Sequence, residues 1–248
     1  MATIDDRTRG TLKALGDRIR AARRVTILTG AGVSAASGVP TFRGSGGLWR
    51  SFRAEDLATP QAFARDPQLV WEWYDWRRSI LAGCSPNAAH DILAGWSQRP
   101  GVTLITQNVD GLHERAGSRG VVRFHGSIWR LRCVGECGNA EWEDLRAPLP
   151  GLPPRCTRCG GIARPGVVWF GEAIDSQVLQ RAFDAATCDV FLSVGTSSLV
   201  HPAAGLASQA KAGGAFTAEI NPEPTAMARF LDLAIALPAE RVLPALDV

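Results

Sequence analysis

The sequence predicts an α/β fold built on a mostly parallel sheet. Three observations lead there. Short β-branched runs alternate with helical patterns along most of the 248 residues. Several of those runs end in a small or polar residue, at the strand ends where open α/β sheets hold ligands. Two segments, 47–86 and 129–165, interrupt the alternation and read as excursions from the sheet.

The elements follow in order. A helical pattern over 11–23 leads into "RVTILTG" (24–30), a β-branched run closed by a glycine-rich loop. The first excursion, 47–86, is aromatic, charged and helical. A helix over 86–97 precedes the strands "VTLITQN" (102–108) and "VVRFHG" (121–126). The second excursion, 129–165, holds paired cysteines around the Pro/Gly-rich "APLPGLPP". Helices over 176–187 and 202–212 then alternate with "DVFLSVGTS" (189–197), "AFTAEIN" (215–221) and "LAIAL" (233–237). Gly30, Asn108, Gly126, Gly195 and Asn221 stand at or near strand ends, so chemistry is sought there.

Hydrophobic content of 46% and charged content of 21% are those of an ordinary globular chain. A net charge of +3 is too small to call for a nucleic-acid partner. "MATIDDRTRG" lacks the regions of a secretory signal, and no apolar run is long enough to cross a bilayer. The expectation is a cytoplasmic protein with no membrane and no specific nucleic-acid partner. Of the six cysteines, four form two close pairs, which in a reducing compartment speaks for metal rather than disulfides.

"LTGAGVSAASGVPTFRG" (28–44) carries G-x-G-x-x-A at Gly30, Gly32 and Ala35. Glycines let a backbone approach a pyrophosphate, and the next helix offers N–H groups to it. A tight strand-to-helix turn without ligand explains the same pattern. No acidic residue follows in "GVPTFRGSGG", which argues against a hydride-transfer dehydrogenase. Cys133-x3-Cys137 and Cys156-x2-Cys159 are a stronger signal. Four thiolates close a tetrahedron around zinc and leave no position for water, so the metal is structural. Cys84 and Cys188 read as buried thiols.

"WEWYDWRR" (71–78) holds the only tyrosine and three of the eight tryptophans. Tyr74 and Arg77 are three residues apart, so on a helix they share a face. By itself this is also the pattern of a packed amphipathic helix with a charge at its rim.

Together these motifs resemble the sirtuins, NAD-dependent protein lysine deacylases. The likeness runs in order through "GAGVSAASGVPTFRG", "TQNVDGLH" (106–113), "FHGS" (124–127), the four cysteines, "RPGVVWFGE" (164–172), "GTSS" (195–198) and "NPE" (221–223). It implies a Rossmann-like large domain (1–46, 87–128 and 166–248), a helical module with acyl-pocket residues (47–86) and a zinc-ribbon module (129–165). NAD and an acyl-lysine peptide would meet between them. Gly30, Ala31, Gly32, Ser34, Thr41, Phe42 and Arg43 would line the loop over NAD. Gln107, Asn108 and Asp110 would surround the nicotinamide and its ribose. Gly195, Thr196, Ser197, Asn221, Glu223 and the backbone of Ala239 would take the adenosine side. Val168, Trp169 and Phe170 would pair with the substrate strand.

His125 matches the catalytic histidine of that family, with Asn108 and Asp110 orienting NAD and water. His90, His113 and His201 are read as structural. The implied chemistry consumes NAD: the acyl oxygen displaces nicotinamide, His125 activates a ribose hydroxyl, and water releases lysine and O-acyl-ADP-ribose. A subset of sirtuins carries Y-x-x-R in the helical insertion, and Tyr74 and Arg77 fit it. Small Ala58 in "DLATP" and Thr41 fit it too. In that subset the pair reads the carboxylate of succinyl-, malonyl- or glutaryl-lysine. The expectation is therefore a monomeric deacylase of succinyl- and malonyl-lysine, weaker on acetyl-lysine. Mono-ADP-ribosyl transfer, plain deacetylation and a non-enzymatic NAD sensor are the competing readings. Two departures stand out: Leu237 and Glu240 replace glycines of the family's C-terminal loop, and Gly166 replaces a bulkier residue.

Overall fold

The computed structural model describes residues 5–40, 52–135, 137–246 and 248. Six parallel strands form the main sheet: β1 (Val25–Thr29), β2 (Val102–Thr106), β3 (Val122–Arg123), β7 (Val190–Val194), β8 (Phe216–Ile220) and β9 (Leu233–Ile235). Their spatial order is β3-β2-β1-β7-β8-β9. Counted within this sheet that is 3-2-1-4-5-6, the doubly wound order, whose direction reverses between β1 and β7. β1 and β7 are buried at every position, as central parallel strands covered on both faces require.

The covering helices are α1 (Asp6–Ala21), α5 (Ala88–Trp96), α6 (Leu112–Arg115), α7 (Ser176–Ala185), α8 (Gly205–Ala212) and α9 (Ala239–Val242). Three of their starts are chemically marked: the side chains of Asp5, Asn87 and Asp175 accept backbone N–H groups of the first turns of α1, α5 and α7. One core face packs Leu12, Leu15 and Ile19 with Leu93, Leu192 and Val242.

The remaining elements build a second body. Helices α2 (Ala54–Leu57), α3 (Pro60–Arg65) and α4 (Pro67–Gly83) lie beside an antiparallel sheet of order β5-β4-β6, made by β4 (Gly126–Cys133), β5 (Trp142–Glu143) and β6 (Ala163–Val167). The run 121–126 read as one strand is thus divided. β3 ends at Arg123, and β4 begins at Gly126 in the other sheet. Gly126 has φ +78, and a Cβ there would lie 2.2 Å from the Gly166 carbonyl oxygen.

Helix α4 joins the second body together. Trp71 donates its indole N–H to the Ala163 carbonyl at 2.8 Å, and Asp75 accepts from the Leu149 N–H at 2.7 Å. Arg78 is fully buried and donates to the carbonyls of Ile128, Asp144 and Arg146. Gly166 has a packing reason. It lies within β6 opposite Ser127, and its missing Cβ leaves room for the Arg130–Glu141 ion pair.

Candidate active site

The sheet's carboxyl edge gathers most of the predicted residues. Gly30 follows β1 and Gly195 follows β7, at the reversal of strand order. These glycines approach each other. A Cβ on Gly32 would lie 2.8 Å from Gly195, and a Cβ on Gly195 would lie 2.4 Å from the Val33 nitrogen. Gly195 also has φ +59, and the Gly32 N–H donates to its carbonyl at 2.8 Å. The glycines therefore serve first the contact of two loops. The segment after Gly30 is a 3-10 helix, Ala31–Ser37, rather than an α-helix.

Behind this loop lies a buried polar network. The Asn87 N–H donates to His90 Nδ1 at 3.3 Å, which leaves the proton of a neutral His90 on Nε2. That nitrogen faces the Ser34 hydroxyl at 3.3 Å, and Ser34 donates to Asp110 Oδ2 at 2.8 Å. Asn108 donates through Nδ2 to the Gly30 carbonyl at 3.0 Å and to Ser34 Oγ at 3.2 Å. Asp110 also accepts the Leu112 N–H at 2.9 Å. Burial raises the Asp110 carboxyl above its usual range, and these hydrogen bonds oppose the rise. Ser34, Asn108 and Asp110 thus form one unit.

His125 sits half-buried between the two sheets. Its Nδ1 lies 3.1 Å from the Gln107 carbonyl oxygen. A carbonyl only accepts, so Nδ1 carries the proton and Nε2 keeps a free lone pair. Burial lowers the pKa of His125, and the Gln107 carbonyl partly restores it. The ring is therefore neutral at neutral pH and able to take a proton at Nε2. Gln107 also donates to Thr196 Oγ1 at 2.8 Å, and Asn221 donates to the Thr196 carbonyl at 2.9 Å.

The second body meets His125 through the chain. Val168 donates its N–H to the His125 carbonyl at 3.0 Å, and Phe170 donates to the Ala58 carbonyl at 2.9 Å. Tyr74 is buried and accepts the Trp169 indole N–H at 2.9 Å. Burial pushes the phenol up to about 12, against the pull of the Arg77 charge. The Arg77 guanidinium lies 4.9 Å from the Trp73 ring centre and 5.9 Å from that of Tyr74. Burial lowers the pKa of Arg77, and Tyr74 and Asp110 counteract it. Ala58, Tyr74, Arg77, Val168 and Trp169 are thereby linked to the His125 edge.

Other predicted residues are less joined. Glu223 is exposed after β8 and bonds to none of the described residues, and Ser197 is half-buried without such a bond. Ala239 is buried as the first residue of α9, which packs on the turn 31–37. Pro238 stands at the N-cap of that helix, and nothing in the structure explains Leu237 and Glu240 in place of glycines. Thr41, Phe42 and Arg43 lie outside the described residues.

Sequence reasoning missed Trp129, whose indole donates to the Asp110 carbonyl at 2.6 Å. It also missed the Arg164–Glu172 pair, which braces the 167–172 segment. Trp129 stands just past the "FHGS" motif, and Arg164 and Glu172 are the two ends of the 164–172 motif; spacing alone gives no signal of these contacts.

His90 and His113 are structural and fully buried, with ring centres 5.0 Å apart. His113 faces Thr29 Oγ1 at 2.9 Å. Burial pushes His90 down to about 4 and His113 down to about 3. Both stay neutral in the fold, while the unfolded chain takes up protons below about pH 6.5. Stability is therefore complete above pH 6.5 and is lost as pH falls through 4 and 3. A loss of about 3 kcal/mol is expected between pH 6.5 and pH 5, before carboxylates titrate, and His113→Asn should halve it. Urea unfolding curves across that range check this; a flat profile for the wild type contradicts it.

The four cysteine sulfurs lie within 4.8 Å of one another. Cys133 and Cys159 are 3.6 Å apart, and Cys137 and Cys156 are 3.7 Å apart. A zinc–thiolate bond of about 2.3 Å gives a tetrahedron with edges of about 3.8 Å, so the set fits zinc. Backbone N–H groups of Cys159 and Arg158 lower the pKa of the Cys156 thiol, whereas burial and the neighbouring thiols raise that of Cys133. No helix of the described residues is long and apolar enough to cross a membrane.

Known proteins share this arrangement. The chain is 53% identical over 211 residues to an NAD-dependent protein deacylase of Aquifex aeolicus (strain VF5), covering 84% of this chain and 87% of that one. Its fold matches the crystal structure of a Sir2 homolog–NAD complex with a TM-score of 0.89 at 45% identity, covering 94% and 91% of the two chains. It also matches a Sir2 structure holding deacetylated p53 peptide and 3′-O-acetyl ADP-ribose, with a TM-score of 0.83 at 26% identity, covering 94% and 96%. The Sir2 family model matches residues 30–202, and with the cysteine tetrahedron and the doubly wound sheet this places the chain in the Sir2 family.

Proposed function

We propose that this protein removes succinyl and malonyl groups, and acetyl more weakly, from lysine side chains of other proteins. The coarser activity is that of an NAD-dependent protein deacylase with one structural zinc site. Bound NAD supplies the glycosidic bond that is broken, with nicotinamide and O-acyl-ADP-ribose as products. The residues of the chain then divide the work. Gly30, Ala31, Gly32, Ser34, Gln107, Gly195, Thr196, Ser197, Asn221, Glu223 and Ala239 form the dinucleotide side of the cleft, and Thr41, Phe42 and Arg43 join them in binding NAD. Asn108 and Asp110 orient the ribose and water, held by Ser34. His125 takes the hydroxyl proton at Nε2. Val168, Trp169 and Phe170 pair with the peptide backbone, and small Ala58 leaves room in the acyl pocket.

The NAD-binding body would take 1–46, 87–128 and 166–248, with the helical module at 47–86 and the zinc ribbon at 129–165. Six cysteines without a disulfide suit a reducing cytoplasm. We take the working form to be a monomer that needs neither membrane nor nucleic acid.

One observation carries the acidic-acyl reading: Tyr74 and Arg77 share one face of α4 beside Trp169. A guanidinium grips a carboxylate with two donors, and a phenol adds a third. Such charge-assisted bonds select by about ten- to a hundredfold. Arg77→Met is expected to lower kcat/KM on succinyl-lysine peptides by that factor and to change acetyl-lysine turnover far less. Mass spectrometry of a panel of acylated peptides with NAD makes the comparison. Equal losses on both peptides would remove the acidic-acyl reading, and ADP-ribose transferred to protein would favour the transferase reading.

A further inference from the structure

The contact between Trp169 and Tyr74 has a direction that chemistry dictates. The indole Nε1 lies 2.9 Å from the Tyr74 hydroxyl oxygen, and both side chains are buried. An indole nitrogen donates and never accepts, so the phenol oxygen is the acceptor. The phenol's own hydrogen is turned away from the indole. Among the described residues it finds no acceptor, for Tyr74 has no further hydrogen bond.

The indole is held against rotation. The Arg164 guanidinium stacks 3.3 Å from its ring centre. Glu172 grips Arg164 through two oxygens, at 2.5 and 2.9 Å, and accepts the Trp169 backbone N–H at 2.8 Å. Phe63 lies 5.1 Å away, ring centre to ring centre.

We propose that Trp169 is a positioning residue for acyl selection: its indole N–H fixes the Tyr74 hydroxyl as a donor toward a carboxylate on the acyl group. This rests on the acidic-acyl reading of Tyr74 and Arg77. An acetyl methyl has no lone pair for that hydrogen, so the fixed donor stays unsatisfied beside it. A carboxylate accepts it together with the Arg77 charge. With phenylalanine at 169 the hydroxyl can turn, and its preference for an acceptor ligand weakens.

Wild type, Trp169→Phe, Tyr74→Phe and the double variant are compared on succinyl- and acetyl-lysine peptides of one sequence. KM and kcat are measured separately. Tyr74→Phe is expected to lower the succinyl-to-acetyl ratio of kcat/KM about tenfold. Trp169→Phe should lower the same ratio about three- to tenfold, through KM for the succinyl peptide. The double variant should show a ratio no lower than Tyr74→Phe alone, because no hydroxyl remains to orient. If Trp169→Phe weakens both peptides equally, or if the two losses in ratio multiply, the inference is overturned and the reading of Tyr74 and Arg77 stands. If Tyr74→Phe keeps the wild-type ratio, both are overturned. Melting temperature and zinc content confirm folding. Should Trp169→Phe fail there, Glu172→Gln loosens the brace instead, with an expected fall in ratio of about twofold. An unchanged ratio in that variant overturns the inference.

Discussion

His125→Ala is expected to lower kcat for deacylation by at least about a hundredfold while the protein folds and binds its peptide. The expectation follows from one hydrogen bond. The Gln107 carbonyl takes the Nδ1 proton, so Nε2 is the only ring atom able to accept one. Among the described residues, the other buried histidines face other partners: His90 lies against Ser34 and His113 Nε2 against Thr29. Asp110 is tied to Ser34 and the Leu112 N–H. The wild-type rate should carry an acid limb below pH 6.5, because burial lowers the pKa of His125 and protonation removes the free lone pair. Rates from pH 5 to 8 with a succinyl-lysine peptide supply the check. A variant that keeps a tenth of wild-type kcat would show that another group does the work.

Removal of zinc should also have a large effect, by a different route. The four cysteines lie on two turns of the small sheet's outer end. Cys133 closes β4, and Cys156 and Cys159 precede β6. The same two strands lead to Trp129 and to the 167–172 segment, and thus to Asp110, Tyr74 and the Val168 contact with His125. Little apolar packing covers the residue after Cys133: Val134 is 53% exposed. Structural zinc is worth on the order of 10 kcal/mol where it organises a small unit. A strong chelator, or Cys156→Ser, is expected to lower the melting temperature by about 10 °C or more and activity below about a tenth. Added zinc should restore the chelated protein, and metal analysis should find about one zinc per chain. A zinc-free protein with unchanged melting and turnover would leave the cysteines without a structural role.

Both expectations join residues of unequal legibility. The zinc ligands were readable because four thiolates at short spacing have few other uses in a reducing compartment. The parallel strands were readable because they are short apolar runs between helical patterns, the central β1 and β7 buried at every position. The break between β3 and β4 was not, since "VVRFHG" reads as one strand until Gly126 turns the chain into another sheet. The role of "WEWYDWRR" was half legible. Periodicity put Tyr74 and Arg77 on one face, but not Arg78 beneath three carbonyls or Trp71 on Ala163. Those partners lie dozens of residues away, and no local rule selects them.

By itself the sequence determined the alternating α/β order and the four cysteines that fit a zinc ion. Those properties belong to local spacing and side-chain type, which a linear chain carries in full. Only the tertiary structure decided which way each proton points: on Nδ1 of His125, from Ser34 to Asp110, and away from Trp169 on Tyr74. Hydrogen-bond direction depends on what stands opposite, and in this fold the opposing group comes from another element of the chain.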